Sequence, residues 1–175
     1  MAHDKLKEAL HFVISRCADP SKLGAIRLNK IVWFADRFAF RLNGNSITAD
    51  TYVKRRLGPV PKNVLPAIAE LATEGKISVR ESSLPSGNIM RHFFTLAEPA
   101  TETLSEQDKE VLSSFTDLIC NNFSANEISD LTHDQVWQAA ETGEEIPLYA
   151  TFAQSGEITA EVREWASNAA NALAA

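Results

Sequence analysis

Leu28, Ile31, Val32, Ala35, Phe38, Ala39 and Leu42 recur at the three- and four-residue spacing of an α-helix, over an arc too broad for one neighbour to cover. A chain with such a segment has to wrap other elements around it, so this is read as the central helix of a multi-helix core. Ser21 stands where a side-chain cap could open it, and Gly44 where a left-handed residue could close it.

The flanking pattern supplies the partners. Leu6, Leu10, Val13, Ile14 and Cys17 define a first amphipathic helix over residues 4–18, stopped by Asp19-Pro20. Residues 52–57 read as an extended or irregular run that breaks at Gly58-Pro59-Val60-Pro61, and Pro61 is expected to open a third helix with Val64, Leu65, Ile68 and Leu71 inward and Gly75 as its stop. Residues 76–81 and 91–96 form a predicted hairpin around Pro85 and Gly87. Ser105 with Asp108, Ser124 with Glu127, and Thr132 with Gln135 each carry the spacing of a helix N-terminus, and Thr159 is expected to begin a last helix with Val162 and Trp165. The expectation is an α+β fold, predominantly α-helical: a compact single domain over residues 1–175, with a small antiparallel hairpin after the third helix.

A chain of 175 residues can bury a sizeable core without disulfides or metal. Cys17 and Cys120, in no CxxC or Cys/His spacing, are expected as buried, reduced thiols. No stretch approaches the ~18 apolar residues of a membrane span, and the first residues run straight into a helix, so a cytoplasmic protein without a membrane partner is expected. The net charge of −6 is unevenly spread. Residues 1–97 hold 15 Lys/Arg against 8 Asp/Glu, whereas residues 98–175 hold 2 against 15. Such asymmetry suits a basic surface, an acidic surface, or halves that attract each other.

The run Arg27-Leu28-Asn29-Lys30-Ile31-Val32-Trp33-Phe34-Ala35-Asp36, followed by Ile47-Thr48-Ala49-Asp50-Thr51-Tyr52 and Gly58-Pro59-Val60-Pro61, resembles the signature of the SocA-like Panacea antitoxin domain. Leu131-Thr132-His133-Asp134-Gln135-Val136-Trp137 is similar to the Ser/His turn and downstream tryptophan of that family's second half, so the resemblance covers roughly residues 20–150. Val32-Trp33 stands where the family often has Leu-Tyr, and Arg55-Arg56-Leu57 precedes the Gly-Pro-Val. The resemblance implies an antitoxin, often phage-associated, that neutralises a cognate protein toxin by direct contact, with Lys30, Asp36, Gly58, Pro59, Val60, Pro61, His133 and Trp137 as its structural motif positions.

The residues themselves point away from catalysis. His133 and Trp137 are four apart and can pack on each other, while His3, His11 and His92 lie in unrelated segments. Asp36 and Asp50 could be paired carboxylates, but Lys30, Arg37 and Arg41 offer ion pairs on a helix surface, and that structural reading is preferred. No phosphate-binding glycine loop, nucleophile elbow, HExxH or dinucleotide fingerprint occurs. No enzyme activity, cofactor or metal is expected.

Two surfaces are candidates for a protein partner. Trp33, Phe34, Phe38 and Phe40 give the second helix more aromatic surface than one buried face requires, and an exposed member would serve as an anchor. Arg55 and Arg56 form a basic point suited to an acidic partner. Lys54, Arg55, Arg56 and Lys62 ahead of a helix and hairpin also outline a winged helix, which makes an autorepressor bound to operator DNA the alternative; Glu70 and Glu74 on that helix count against it. A phage or host adaptor is a third reading. Leu173, Ala174 and Ala175 resemble the end of a degradation tag and are a candidate handle for a ClpXP-type protease.

Overall fold

The computed structural model describes residues 2–83, 87 and 89–152. The helix expected from Thr159 and the terminal Leu173-Ala174-Ala175 lie outside the described residues, as does Pro85.

α1 (Ala2–Arg16) buries Leu6, Ala9, Leu10, Val13 and Ile14, the face its spacing predicts. α2 (Pro20–Asn43) starts earlier than its sequence cap suggests: Asp19, not Ser21, is the N-cap, its carboxylate accepting the Ser21 N–H at 3.0 Å, with Pro20 at the first helical position. At Gly24 the backbone leaves the helix (φ 58°, ψ 164°), a conformation glycine adopts without a steric penalty. Gly44 closes the helix in the left-handed region, its N–H on the Phe40 carbonyl at 2.8 Å.

Most of the predicted stripe is inside: Leu28, Ile31, Val32, Ala35 and Ala39 are buried. Phe38 and Leu42 are not, at 44% and 57% exposed. The buried arc instead takes in Lys30, Trp33 and Asp36, turning the helix so that its 38/42 edge faces outward.

The segment after α2 departs most from expectation. β1 (Tyr52–Arg55) and β2 (Gly58–Pro61) form a hairpin across the two-residue turn Arg56-Leu57, with Arg55 opposite Gly58 and Tyr52 opposite Pro61. Pro61 therefore ends a strand and does not open a helix. Proline lacks an N–H, so a strand carries it only where that group would point away from its neighbour. Pro59 and Pro61 alternate with Val60 and Lys62, and Lys62 N donates to the Thr51 carbonyl at 2.8 Å, leaving both prolines on the open edge. α3 (Val64–Thr73) follows Asn63 and buries Val64, Ala67 and Leu71; Leu65, expected inward, is exposed on the adjoining side.

β3 (Ile77–Ser83) and β4 (Ile89–Thr95) form the predicted hairpin, paired from Ile77 opposite Thr95 to Ser83 opposite Ile89. It packs through β4 on α2. α4 (Glu106–Asn122) and α5 (Ala125–Asp130) begin at full capping boxes, Ser105 with Asp108 and Ser124 with Glu127. α6 (Gln135–Ala139) is capped by Asp134, whose carboxylate accepts the Trp137 N–H at 3.0 Å. Thr132, expected in that role, is buried and donates to the Ser129 carbonyl at 2.7 Å. β5 (Glu145–Ile146) then pairs with the free side of β1, giving the order β2-β1-β5, and a 3₁₀ turn (Leu148–Phe152) follows.

The main core is built on α2 with α1, α3, α4 and the β3–β4 hairpin; a smaller cluster of Trp33, Tyr52 and Ile146 joins α2 to the three-stranded sheet. The result is an α+β fold dominated by helices.

Candidate interaction surface

The motif residues far apart in sequence meet in two buried polar nodes. At the first, Asp36 is fully buried on α2 and receives the backbone N–H groups of Ile47 and Thr48 at 2.8 and 2.9 Å, the Tyr52 hydroxyl at 2.7 Å and the Thr48 hydroxyl. The expected surface ion pairs are absent from this site. Burial raises the Asp36 carboxyl to about 6, against the pull of these four donors, and burial together with Asp36 holds the Tyr52 hydroxyl well above its ordinary value. The node fixes the route from α2 into β1, where Ala49 adopts a left-handed φ of 53°. Asp50 serves a different junction, accepting from Asn63 N at 2.9 Å and Asn63 Nδ2 at 2.7 Å, so the two carboxylates do not work as a pair.

At the second node Lys30 is buried with its Nζ on the Pro59 carbonyl at 3.2 Å, and burial lowers its ammonium to about 7. Gly58 sits against it at φ 105°: a β-carbon there would fall 2.2 Å from Lys30 Nζ and 2.3 Å from Thr132 Oγ1. The chain after α5 grips the same hairpin turn. Ser129 Oγ donates to the Leu57 carbonyl at 2.9 Å, and Trp137 Nε1 to the Arg55 carbonyl at 3.2 Å. His133 stacks on the Trp137 indole, ring centroids 3.9 Å apart, and Lys54 Nζ lies 4.2 Å from the same ring. Gly58, Pro59, Lys30, Thr132, His133 and Trp137 thus surround one turn, and its carbonyls are held from inside.

That clamp leaves Arg55 and Arg56 exposed at the tip. The other two cations of the predicted basic cluster are engaged: Lys54 also donates to the Ala140 carbonyl at 2.9 Å, and Lys62 meets Glu145 at 2.8 Å. α3, the would-be recognition helix, contains no Lys or Arg, and its Glu70 and the following Glu74 bind Lys7 at 3.3 and 2.7 Å.

The aromatic candidates on α2 divide. Trp33 is 1% exposed and packs edge-on against Tyr52 at 4.7 Å, so it offers no surface. Phe40 is half-buried and lines a groove of about 270 Å³ with Tyr52, Ile146, Pro147, Leu148 and Tyr149. Phe34 is half-buried under Phe115 of α4, stacked at 6.2 Å, and Phe38 meets the edge of the same ring at 5.9 Å. With Leu42 one turn beyond Phe38 and Leu118, 46% exposed, three residues beyond Phe115, this makes an apolar stripe along α2 and α4. The α4 half of the stripe escapes sequence reasoning. The spacing of Leu118 suits an inward face, and nothing local indicates that Phe115 stacks on a helix some 80 residues earlier.

The four histidines stay apart: His3 is with Glu70, His11 with the Ala97 carbonyl, His92 with Ser82, and His133 on Trp137. Among the described residues no group of His, Cys, Asp or Glu is placed to hold a metal, and no helix is long and apolar enough to cross a membrane. Asp36, Lys30, Ser129 and Thr132 are tied up in internal hydrogen bonds, and the exposed features include an apolar stripe and a basic turn.

The family model described as antitoxin SocA-like, Panacea domain, matches residues 28–138, more than half of the chain, and the chain belongs to that family. The match runs from α2 to α6 and contains both nodes and the whole α2/α4 stripe. Neither the curated proteins nor the solved structures compared with the chain include a match.

Proposed function

We propose that this protein is an antitoxin that neutralises a cognate protein toxin by stoichiometric binding, with no bond made or broken. Membership of the antitoxin domain family is the observation that carries the reading. The contact face is assigned to the stripe of Phe34, Phe38 and Leu42 with Phe115 and Leu118, because it joins exposed large apolar side chains within the family-matched region. Arg55 and Arg56 are the second contact, where a rim charge would steer association. An operator-DNA role has less support: of the four cations proposed to grip phosphate, Lys54 and Lys62 have internal partners.

The test is co-expression of the tagged protein with the product of its immediate genomic neighbour, scoring growth rescue and co-purification. Rescue with a stable complex is expected. Phe38→Glu with Leu42→Glu should weaken the complex about thirtyfold or more while the variant stays folded, and Arg55→Glu with Arg56→Glu should chiefly slow association. A neighbour that is expressed but neither rescued nor bound would overturn the antitoxin reading. A complex indifferent to the α2/α4 changes would overturn the assigned face alone.

A further inference from the structure

The two cysteines, expected as buried, reduced thiols, face one another. Cys17 extends the last turn of α1, its N–H on the Val13 carbonyl at 3.1 Å, and Cys120 lies near the end of α4. Their sulfurs are 3.8 Å apart although 103 residues separate them in sequence. A disulfide needs about 2.05 Å, so the remaining gap is within the sweep of a cysteine side-chain rotation. Both residues, 9% and 8% exposed, line a cleft of about 140 Å³ shared with Arg16, Asp19, Lys22, Thr116 and Asp117, large enough to admit a small solute.

We propose that Cys17 and Cys120 are a redox-active dithiol, which hydrogen peroxide or an organic hydroperoxide converts to a disulfide joining the end of α1 to α4. Cys17 is the attacking sulfur. Its thiol is lowered to about 7, first by the hydrogen bond it shares with Cys120, with the Asp19 backbone and Lys22 helping and burial and the Asp19 charge opposing. Cys120 is raised by Cys17 and by burial, so it keeps its proton until the second step. In the first step the Cys17 thiolate attacks one peroxide oxygen and the O–O bond breaks. The departing hydroxide takes up the proton that Cys17 had lost and leaves as water, or the departing alkoxide leaves as an alcohol. Cys17 is now a sulfenic acid. Cys120 then attacks the Cys17 sulfur, the S–O bond breaks, and the hydroxyl leaves with the Cys120 proton as a second water. Two thiols are oxidised, one peroxide is reduced, and a dithiol reductant reverses the change.

The full-length protein, folded and reduced, is treated with hydrogen peroxide and read by intact mass and peptide mapping under non-reducing conditions. The expected product is a monomer lighter by two hydrogen atoms, with Cys17 linked to Cys120 and restored by dithiothreitol. Before oxidation, wild-type Cys17 should alkylate about tenfold faster than Cys120 at neutral pH. After peroxide the Cys120→Ser variant should carry a dimedone-reactive sulfenic acid. Retention of both free thiols by the folded wild-type protein would overturn the proposal, as would a disulfide between two chains. Since the deciding readouts use the wild-type protein, poor folding of a serine variant does not blunt the test, and none involves toxin binding.

Discussion

Lys30 Nζ occupies the space that a side chain on Gly58 would need, 2.2 Å from where a β-carbon would stand. The two residues come from α2 and the first position of β2, and glycine fits the second site without displacing either neighbour. Its φ of 105° is itself strained for any L side chain, and Thr132 Oγ1 closes the other side at 2.3 Å. Gly58→Ala is therefore expected to cost about 3 kcal/mol or more of stability. Urea unfolding would measure it. Combined with Lys30→Ala the loss should be less than additive, because the second change clears half of the collision.

Lys30 gives the protein a stability that depends on alkaline pH. Its folded pKa of about 7 lies below the ordinary 10.5 because it is buried without a carboxylate partner. The native state therefore binds fewer protons than the unfolded chain between those values. The contribution is fully present above the unfolded pKa and is lost as pH falls through about 7. Unfolding free energy should rise from about pH 7 to 10 by up to a few kcal/mol. Chemical denaturation across this range should show a shallower rise for Lys30→Met. The comparison separates Lys30 from Cys17, whose lowered thiol acts in the same direction.

Asp36 works with the opposite sign. Burial lifts its carboxyl from 3.8 to about 6, so the protonated acid is the form the fold prefers. Its contribution is present below the unfolded value and fades as pH rises through about 6, for a difference of about 3 kcal/mol. Asp36→Asn should lose this component, and the gap between variant and wild type should narrow as pH rises from about 4 to 7. Melting midpoints taken in pairs at each pH would read the difference free of exposed carboxylates such as Glu74, whose lowered pKa acts the other way.

Features decided by neighbours in sequence are legible from the residues alone. The boxes Ser105/Asp108 and Ser124/Glu127 need only three residues' spacing, and both helices begin there. The left-handed stop at Gly44 is equally local. Pro61 is ambiguous in sequence because proline suits both the first turn of a helix and an unpaired strand edge, and only the pairing with Tyr52 chooses between them. The same holds for Asp36. Its spacing from Arg37 and Arg41 suggests a solvated helix face, whereas its actual donors stand 11 to 16 residues downstream in an irregular segment and the strand after it. The family motif is recognisable as a string of residues, but its physical sense, two clamps that fix one hairpin, depends on contacts such as Trp137 with Arg55 across 82 residues.

The proline edge of β2 has a consequence for what can dock on it. With Pro59 and Pro61 on its open side, the sheet lacks the run of N–H donors on which another chain could template a fresh strand, and the opposite edge, β5, is only two residues long. Strand addition is thereby blocked at this sheet, and a partner that meets this part of the surface has to do so through side chains.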